Sequence, residues 1–162
     1  MDLLLSAKLL FLLLAANGAP ILGRLLFAER FSQPVDGNHL FSDGQPLFGP
    51  SKTWRGIVFA LLITPLIAVL LRLPIEVGLL IAVLAMLGDL LSSFIKRRLR
   101  IAPSGMALGL DQIPESLLPL LGAGLYFEMD WLAFAELALI FLVLELLLSR
   151  VLYWLNIRKQ PY

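Results

Sequence analysis

Apolar and polar positions are sorted along this chain into long blocks. Leucine-rich runs of roughly 20 residues recur, the length an α-helix needs to cross the hydrocarbon core of a bilayer. Five such runs are expected as spans, at residues 3–27, 57–73, 77–95, 113–127 and 131–155. The first is interrupted by Asn17, Gly18 and Pro20; the fourth is short and carries Pro114 and Pro119. Two long polar stretches separate them, residues 28–56 and 96–112, both rich in the Gly, Pro, Asp and Ser that mark loops. The pattern predicts an all-α membrane protein, a single integral domain over residues 1–162 with no internal repeat.

Composition agrees. The chain is 59% hydrophobic and 15% charged, where a soluble domain carries about 25% charged residues. Mean hydropathy is +0.88. A net charge of +1 gives no ground for a nucleic-acid partner. With no cysteine, disulfides and thiolate chemistry are excluded. The N-terminal run lacks a basic segment ahead of it and stays apolar to Phe27, so it reads as a retained span and not a signal peptide.

Charge also sets the expected orientation. With both long loops and the C-terminus on one side, that side holds Arg30, Lys52, Arg55, Lys96, Arg97, Arg98, Arg100, Arg158 and Lys159, against Lys8 and Arg72 opposite. The N-terminus is therefore expected outside and the C-terminus in the cytoplasm. The protein is expected in the cell membrane, with both loops in the cytosol, where nucleotides are.

Candidate chemistry gathers at that side. In "GDLLSSFIKRRLR", Asp89, Ser92, Ser93 and Lys96 follow the i, i+3, i+4, i+7 spacing of one helical face. Asp89 lies roughly 10 Å deeper than Lys96 at 1.5 Å per residue. A lone carboxylate at that depth costs a few kcal/mol or more, so it should face protein, water or a cation. Asp111 and Glu115 open the fourth span four residues apart; helix capping is the plainer account of them, and sharing a divalent cation with Asp89 is the other. "FGPSKTWRG" resembles a phosphate loop but is not one, because Pro50 and Ser51 separate Gly49 from Lys52 and no strand precedes it. What survives is local: Lys52 and Arg55 as cations, Thr53 as a hydroxyl and Gly56 permitting close approach, which suit phosphate oxygens or, equally, a basic membrane anchor. Asp36-Gly37 and Asp43-Gly44 mark turns. His39, the only histidine, has no partner for a zinc site. Glu136 and Glu145 in the fifth span receive no functional account.

Together, "ANGAP", "PVDGNHLFSDGQPLFGPSKTWRG", "GDLLSSFIKRR" and "DQIPE" resemble the CDP-archaeol synthase family, within the CTP-dependent lipid cytidylyltransferases related to CDP-diacylglycerol synthases. Two differences stand out. The wider family continues past "SFIKRR" with a Lys-Asp pair and a Gly- and His-containing loop, both absent here. The archaeal pattern Asp-Gln-x-Asp is replaced by Asp111, Gln112, Ile113, Pro114 and Glu115. The resemblance implies transfer of a cytidylyl group from CTP to a membrane lipid phosphate, with release of pyrophosphate. It implies Mg²⁺ held by Asp89 and Asp111, with Glu115 a further ligand, and Lys96 joining the two aspartates in catalysis. It also implies that Asn17, Asp43, Gly44, Lys52, Thr53, Arg55 and Gly56 serve the nucleotide, and Ser93, Lys96 and Arg97 the phosphates. An ether-linked isoprenoid phosphate and phosphatidic acid are equivalent acceptors at the head group. Other readings of the same residues are a CTP-dependent lipid-alcohol kinase and a small transporter or scaffold, and association into homo-oligomers is left open.

Overall fold

Each expected span folds as one α-helix: α1 Leu3–Phe27, α2 Trp54–Leu70, α3 Ile75–Arg98, α4 Gln112–Tyr126 and α5 Trp131–Trp154. The computed structural model describes residues 2–103, 105, 107 and 109–155; Arg158 and Lys159, counted in the orientation argument, lie outside them. Among the described residues there is no strand beyond two isolated bridges, Pro34 with Thr53 and Leu40 with Pro46. By length and composition α1, α3 and α5 can cross a membrane, while α2 has 17 residues and α4 has 15. At 1.5 Å per residue α4 is roughly 22 Å long, short of a hydrocarbon core of about 30 Å.

Local chemistry sets the helix ends. Thr53 caps α2, its Oγ1 accepting the Gly56 N–H at 3.3 Å, so α2 starts three residues before the expected span. α3 runs on to Arg98 because Lys96, Arg97 and Arg98 suit the negative end of the helix dipole. α1 stays helical through Pro20.

Consecutive helices pack side by side, and α3 sits at the centre, against α1, α2 and α4. The core is apolar, with Leu9, Leu12, Leu13, Ile81, Leu120 and Phe141 buried. Leu62, Leu66, Val69, Leu139 and Leu147 point outward, as lipid-facing side chains do. Between spans, close packing replaces the hydrophobic effect as the driving force, and small residues allow it. Gly78 of α3 lies against Pro65 and Ala68 of α2, and Gly88 lies against the Pro114 carbonyl and Glu115 Cα of α4. The second contact fixes the depth of α4, setting Glu115 beside Asp89.

A Cβ at Gly78 would stand 2.5 Å from Pro65 Cα and 2.7 Å from Ala68 Cβ. Gly78→Ala should therefore cost about 1–3 kcal/mol through overpacking and lower the thermal unfolding midpoint in detergent. At Gly124 the nearest atoms are 3.8 Å and 3.9 Å away, so Gly124→Ala should leave the midpoint unchanged or raise it, alanine being the better helix former.

Candidate active site

The loop of residues 28–53 folds back over the helix ends and is organised by one carboxylate. Asp36 is buried. Its Oδ1 accepts the Asn38 N–H at 3.0 Å, and its Oδ2 accepts the N–H groups of Phe48 at 2.9 Å and Gly49 at 2.8 Å. Burial works to raise its pKa, but the N–H donors of Gly49, Phe48 and Asn38 outweigh it and hold the group below the ordinary aspartate range. Gly49 has φ +93°, a conformation that favours glycine, and lies alongside the Arg97 guanidinium. The loop is pinned to α3 by Arg98. Its Nε pairs with Asp43 at 2.9 Å, its Nη2 donates to the Pro46 carbonyl at 2.6 Å, and its guanidinium lies 4.7 Å from the Phe41 ring centroid and 4.8 Å from that of Phe94.

So anchored, the loop delivers Lys52 to α3, where its ammonium pairs with Asp89. Burial opposes the Lys52 charge, but the carboxylates of Asp89 and then Glu115 prevail and raise its pKa above the ordinary lysine value. Glu115 is set beside Asp89, its Cα packed against Gly88 where α4 crosses α3. One helical turn before Glu115, Asp111 pairs with Lys96 at 2.5 Å. Asp111 makes no side-chain capping bond to α4; Gln112 takes up a nearby donor, its Oε1 accepting the Gly109 N–H at 2.8 Å. Beside this pair lies Arg97, 2% exposed. Its Nη2 donates to the Ala102 carbonyl at 3.0 Å, and its Nε and Nη1 are buried with no partner among the described residues. Two lysine–carboxylate pairs, a third carboxyl and an under-used guanidinium thus meet at one end of the helices.

The other candidate residues are placed elsewhere. Ser93 is buried on the same face of α3 as Lys96. Thr53 and Gly56 are joined in the α2 cap, and Gly56 packs on Pro20. Arg55 turns away from the carboxylates, its Nη1 donating to the carbonyls of Ala28 and, at 2.7 Å, Arg30. Asp43 and Gly44 form a turn, with Asp43 Oδ1 accepting the Gln45 N–H at 3.0 Å. Asn17 lies deeper, lining with Glu145 and Ser149 a cavity of about 10 Å³ between α1 and α5, enough for roughly one water. Glu145 is buried and close enough to Glu115 for their charges to interact. The sequence left Asp36 as a turn residue or a carboxylate for a metal or sugar hydroxyl, and gave Arg98 and Glu145 no functional role. The turn signal at Asp36-Gly37 pointed at the first, while the Asp43 and Pro46 partners of Arg98 are more than 50 residues away in sequence.

A family model described as CarS-like, CDP-archaeol synthase, matches residues 71–162. The CDP-archaeol synthase of Pyrobaculum arsenaticum is 30% identical over 167 residues, covering 100% of both chains. The chain belongs to the CDP-archaeol synthase family. The synthase of Hyperthermus butylicus is 40% identical over 120 residues, 68% of each chain. A solved structure described as an intramembrane enzyme for archaeal membrane lipids biosynthesis matches with a TM-score of 0.78 at 26% identity, over 91% of this chain and 94% of that one. The chain is thus a membrane protein and an enzyme.

Because the folded Asp36 pKa is depressed, its stabilisation of the loop is fully present above the ordinary aspartate pKa and is lost as pH falls through the folded value. Limited proteolysis should find the loop of residues 28–53 protected at neutral pH and losing protection only as pH falls well below the ordinary aspartate value of about 3.9. Asp36→Ala should be cleaved even at neutral pH, having lost hydrogen bonds to a charged group worth about 1.5–3 kcal/mol each.

Proposed function

We propose that the Lys52–Asp89–Glu115 and Lys96–Asp111 cluster is where this CTP-dependent cytidylyltransferase joins CTP to a lipid phosphate, giving a CDP-lipid of the CDP-archaeol type and pyrophosphate. The observation that carries the reading is the convergence of both lysine–carboxylate pairs from the loop, α3 and the start of α4 at one end of the helices. Family membership favours cytidylyl transfer over the kinase and transporter readings. The excess of positive charge at that end supports a cytoplasmic face, where CTP is available.

The reaction asks little proton chemistry of the protein. A phosphate monoester has a second pKa of about 6 and is largely dianionic at neutral pH, so no histidine or cysteine base is needed. An acceptor oxygen forms a bond to the α-phosphorus of CTP. The bond from that phosphorus to the bridging oxygen of the β-phosphate breaks, and pyrophosphate leaves with the electron pair. Lys52, Lys96 and Arg97 neutralise the phosphate charge that builds on the leaving group. Each lysine exchanges a carboxylate partner for a phosphate oxygen when substrate arrives, and the unpartnered nitrogens of Arg97 provide further donors.

The donor set fits Mg²⁺. Asp89, Glu115 and Asp111 offer hard oxygens, and the ammonium groups paired with Asp89 and Asp111 show that positive charge is accommodated there. Among the described residues no three acidic or histidine side chains form a ready-made metal cage. Mg²⁺ commonly takes only one or two carboxylates and completes its octahedron with substrate phosphates and water. When bound, it withdraws charge from the phosphoryl oxygens.

Incorporation of labelled CTP into an archaeal ether-lipid phosphate should require Mg²⁺ and release pyrophosphate. Asp89→Asn should lower kcat by at least about 10²-fold, the scale of removing one preorganised electrostatic group. A folded Asp89→Asn protein with unchanged turnover would overturn the assignment. Lys96→Met should likewise lose turnover, with pyrophosphate release and CDP-lipid formation falling together.

A further inference from the structure

A second feature lies on the opposite flank of the first turn of α2. Lys52 and Arg55 leave the chain three residues apart and diverge, Lys52 to Asp89 on α3 and Arg55 to the carbonyls that follow α1. Beside Arg55 opens a groove of about 750 Å³ whose walls include Phe27, Phe31, Trp54, Arg55, Val58 and Phe59. No residue of the lysine–carboxylate cluster lines it.

The groove is built at a cost in backbone energy. Ala28 and Phe31 both hold left-handed conformations, at φ 49° and 58°, where a non-glycine residue spends about 1–3 kcal/mol. The result is a Phe31 ring left 71% exposed and set edge-on against Phe27 at 5.8 Å, with Phe27 in turn edge-on to Phe59 at 5.7 Å. Gly23 makes room for Phe59, whose Cγ would stand 3.0 Å from a Cβ at that position. The surface is an aromatic trough at a helix end, at the level where tryptophan and arginine meet lipid head groups. At its polar end the Arg55 guanidinium is engaged by described residues through Nη1 alone, and Nε has no partner. Glu29 also lines the groove; Arg30, next to it in the chain and exposed, offsets its charge, which leaves Arg55 as the net positive group of this segment.

We infer that this groove seats an anionic membrane phospholipid, its phosphate held at Arg55 and its chain laid along Phe27, Val58 and Phe59, as a lipid site separate from the position of the reacting acceptor. Positive charge and exposed aromatics favour a lipid over a soluble anion, which would gain nothing from the rings. A lipid there would brace the turn from which Lys52 departs.

The test uses the full chain in phosphatidylcholine nanodiscs carrying phosphatidylglycerol with a photoreactive group on one chain. Phosphatidylglycerol is a phosphodiester and cannot accept a cytidylyl group, so labelling reports binding and not turnover. Crosslinks mapped by mass spectrometry should concentrate in residues 27–34 and 54–59, and should exceed those from phosphatidylcholine carrying the same group. Val58→Trp, which fills the trough, should cut them at least about fivefold, a loss of roughly 1 kcal/mol. Leu66→Trp, on the outward face of α2 beyond the groove, should not. Calorimetric CTP binding unchanged in Val58→Trp shows that variant is folded; if it is not, Phe31→Ala replaces it. Equal labelling by both lipids, labelling unaffected by filling the trough, or labelling displaced by the lipid-phosphate acceptor would each overturn the proposal. None of these outcomes bears on whether Asp89 supports turnover.

Discussion

Carboxylates set inside an apolar bundle have to be neutralised, and the rest of this structure follows from how that is done. Asp89 and Glu115 stand on helices whose outward faces are made for lipid, where an unpaired charge costs several kcal/mol. The compensating charge for Asp89 does not come from a neighbouring helix. It comes from Lys52, on a loop that must fold back across the helix ends to deliver it. Asp36 and Arg98 make that path the stable one, Asp36 by gathering three backbone N–H groups and Arg98 by fastening the loop to α3. Structure and the proposed chemistry are joined at this point, because the cations that allow the acids to be buried are the ones proposed to meet the triphosphate.

The depth of the cluster is a packing result. Gly88 lets the backbone of α4 lie directly on α3, and this contact sets Glu115 against Asp89. Glutamate is one methylene longer than the aspartate of the related pattern and sits one residue further along. Because α4 is short, its first turn, with Asp111 and Glu115, can lie below the end of α3, whose Lys96 reaches Asp111 from above.

The first turn of α2 faces two ways. Thr53 caps it, Lys52 points inward to the acids, and Trp54 and Arg55 line the groove on the other flank. A rearrangement of this turn would be felt on both flanks at once. In an enzyme that joins a soluble nucleotide to a membrane lipid, that is an economical place for the two environments to meet.

The sequence by itself determined the five helices, because hydropathy is a local property and the spacing of one helical face needs no knowledge of neighbours. It also determined that Asp89, Ser93 and Lys96 share a face, and that Asp36-Gly37 and Asp43-Gly44 are turns. Only the tertiary structure decided the partners. Asp111 could cap a helix or meet a cation, and the approach of α3 gave it Lys96. Thr53, Gly56 and Arg55 look like phosphate ligands in "KTWRG", yet here they shape the α2 entry and the end of α1, while Lys52 alone of that segment reaches the acids. Asn17 faces Glu145 and not the loop. Such pairings span tens of residues and depend on which helices lie adjacent and how closely small residues let them approach, information carried by no single stretch of chain.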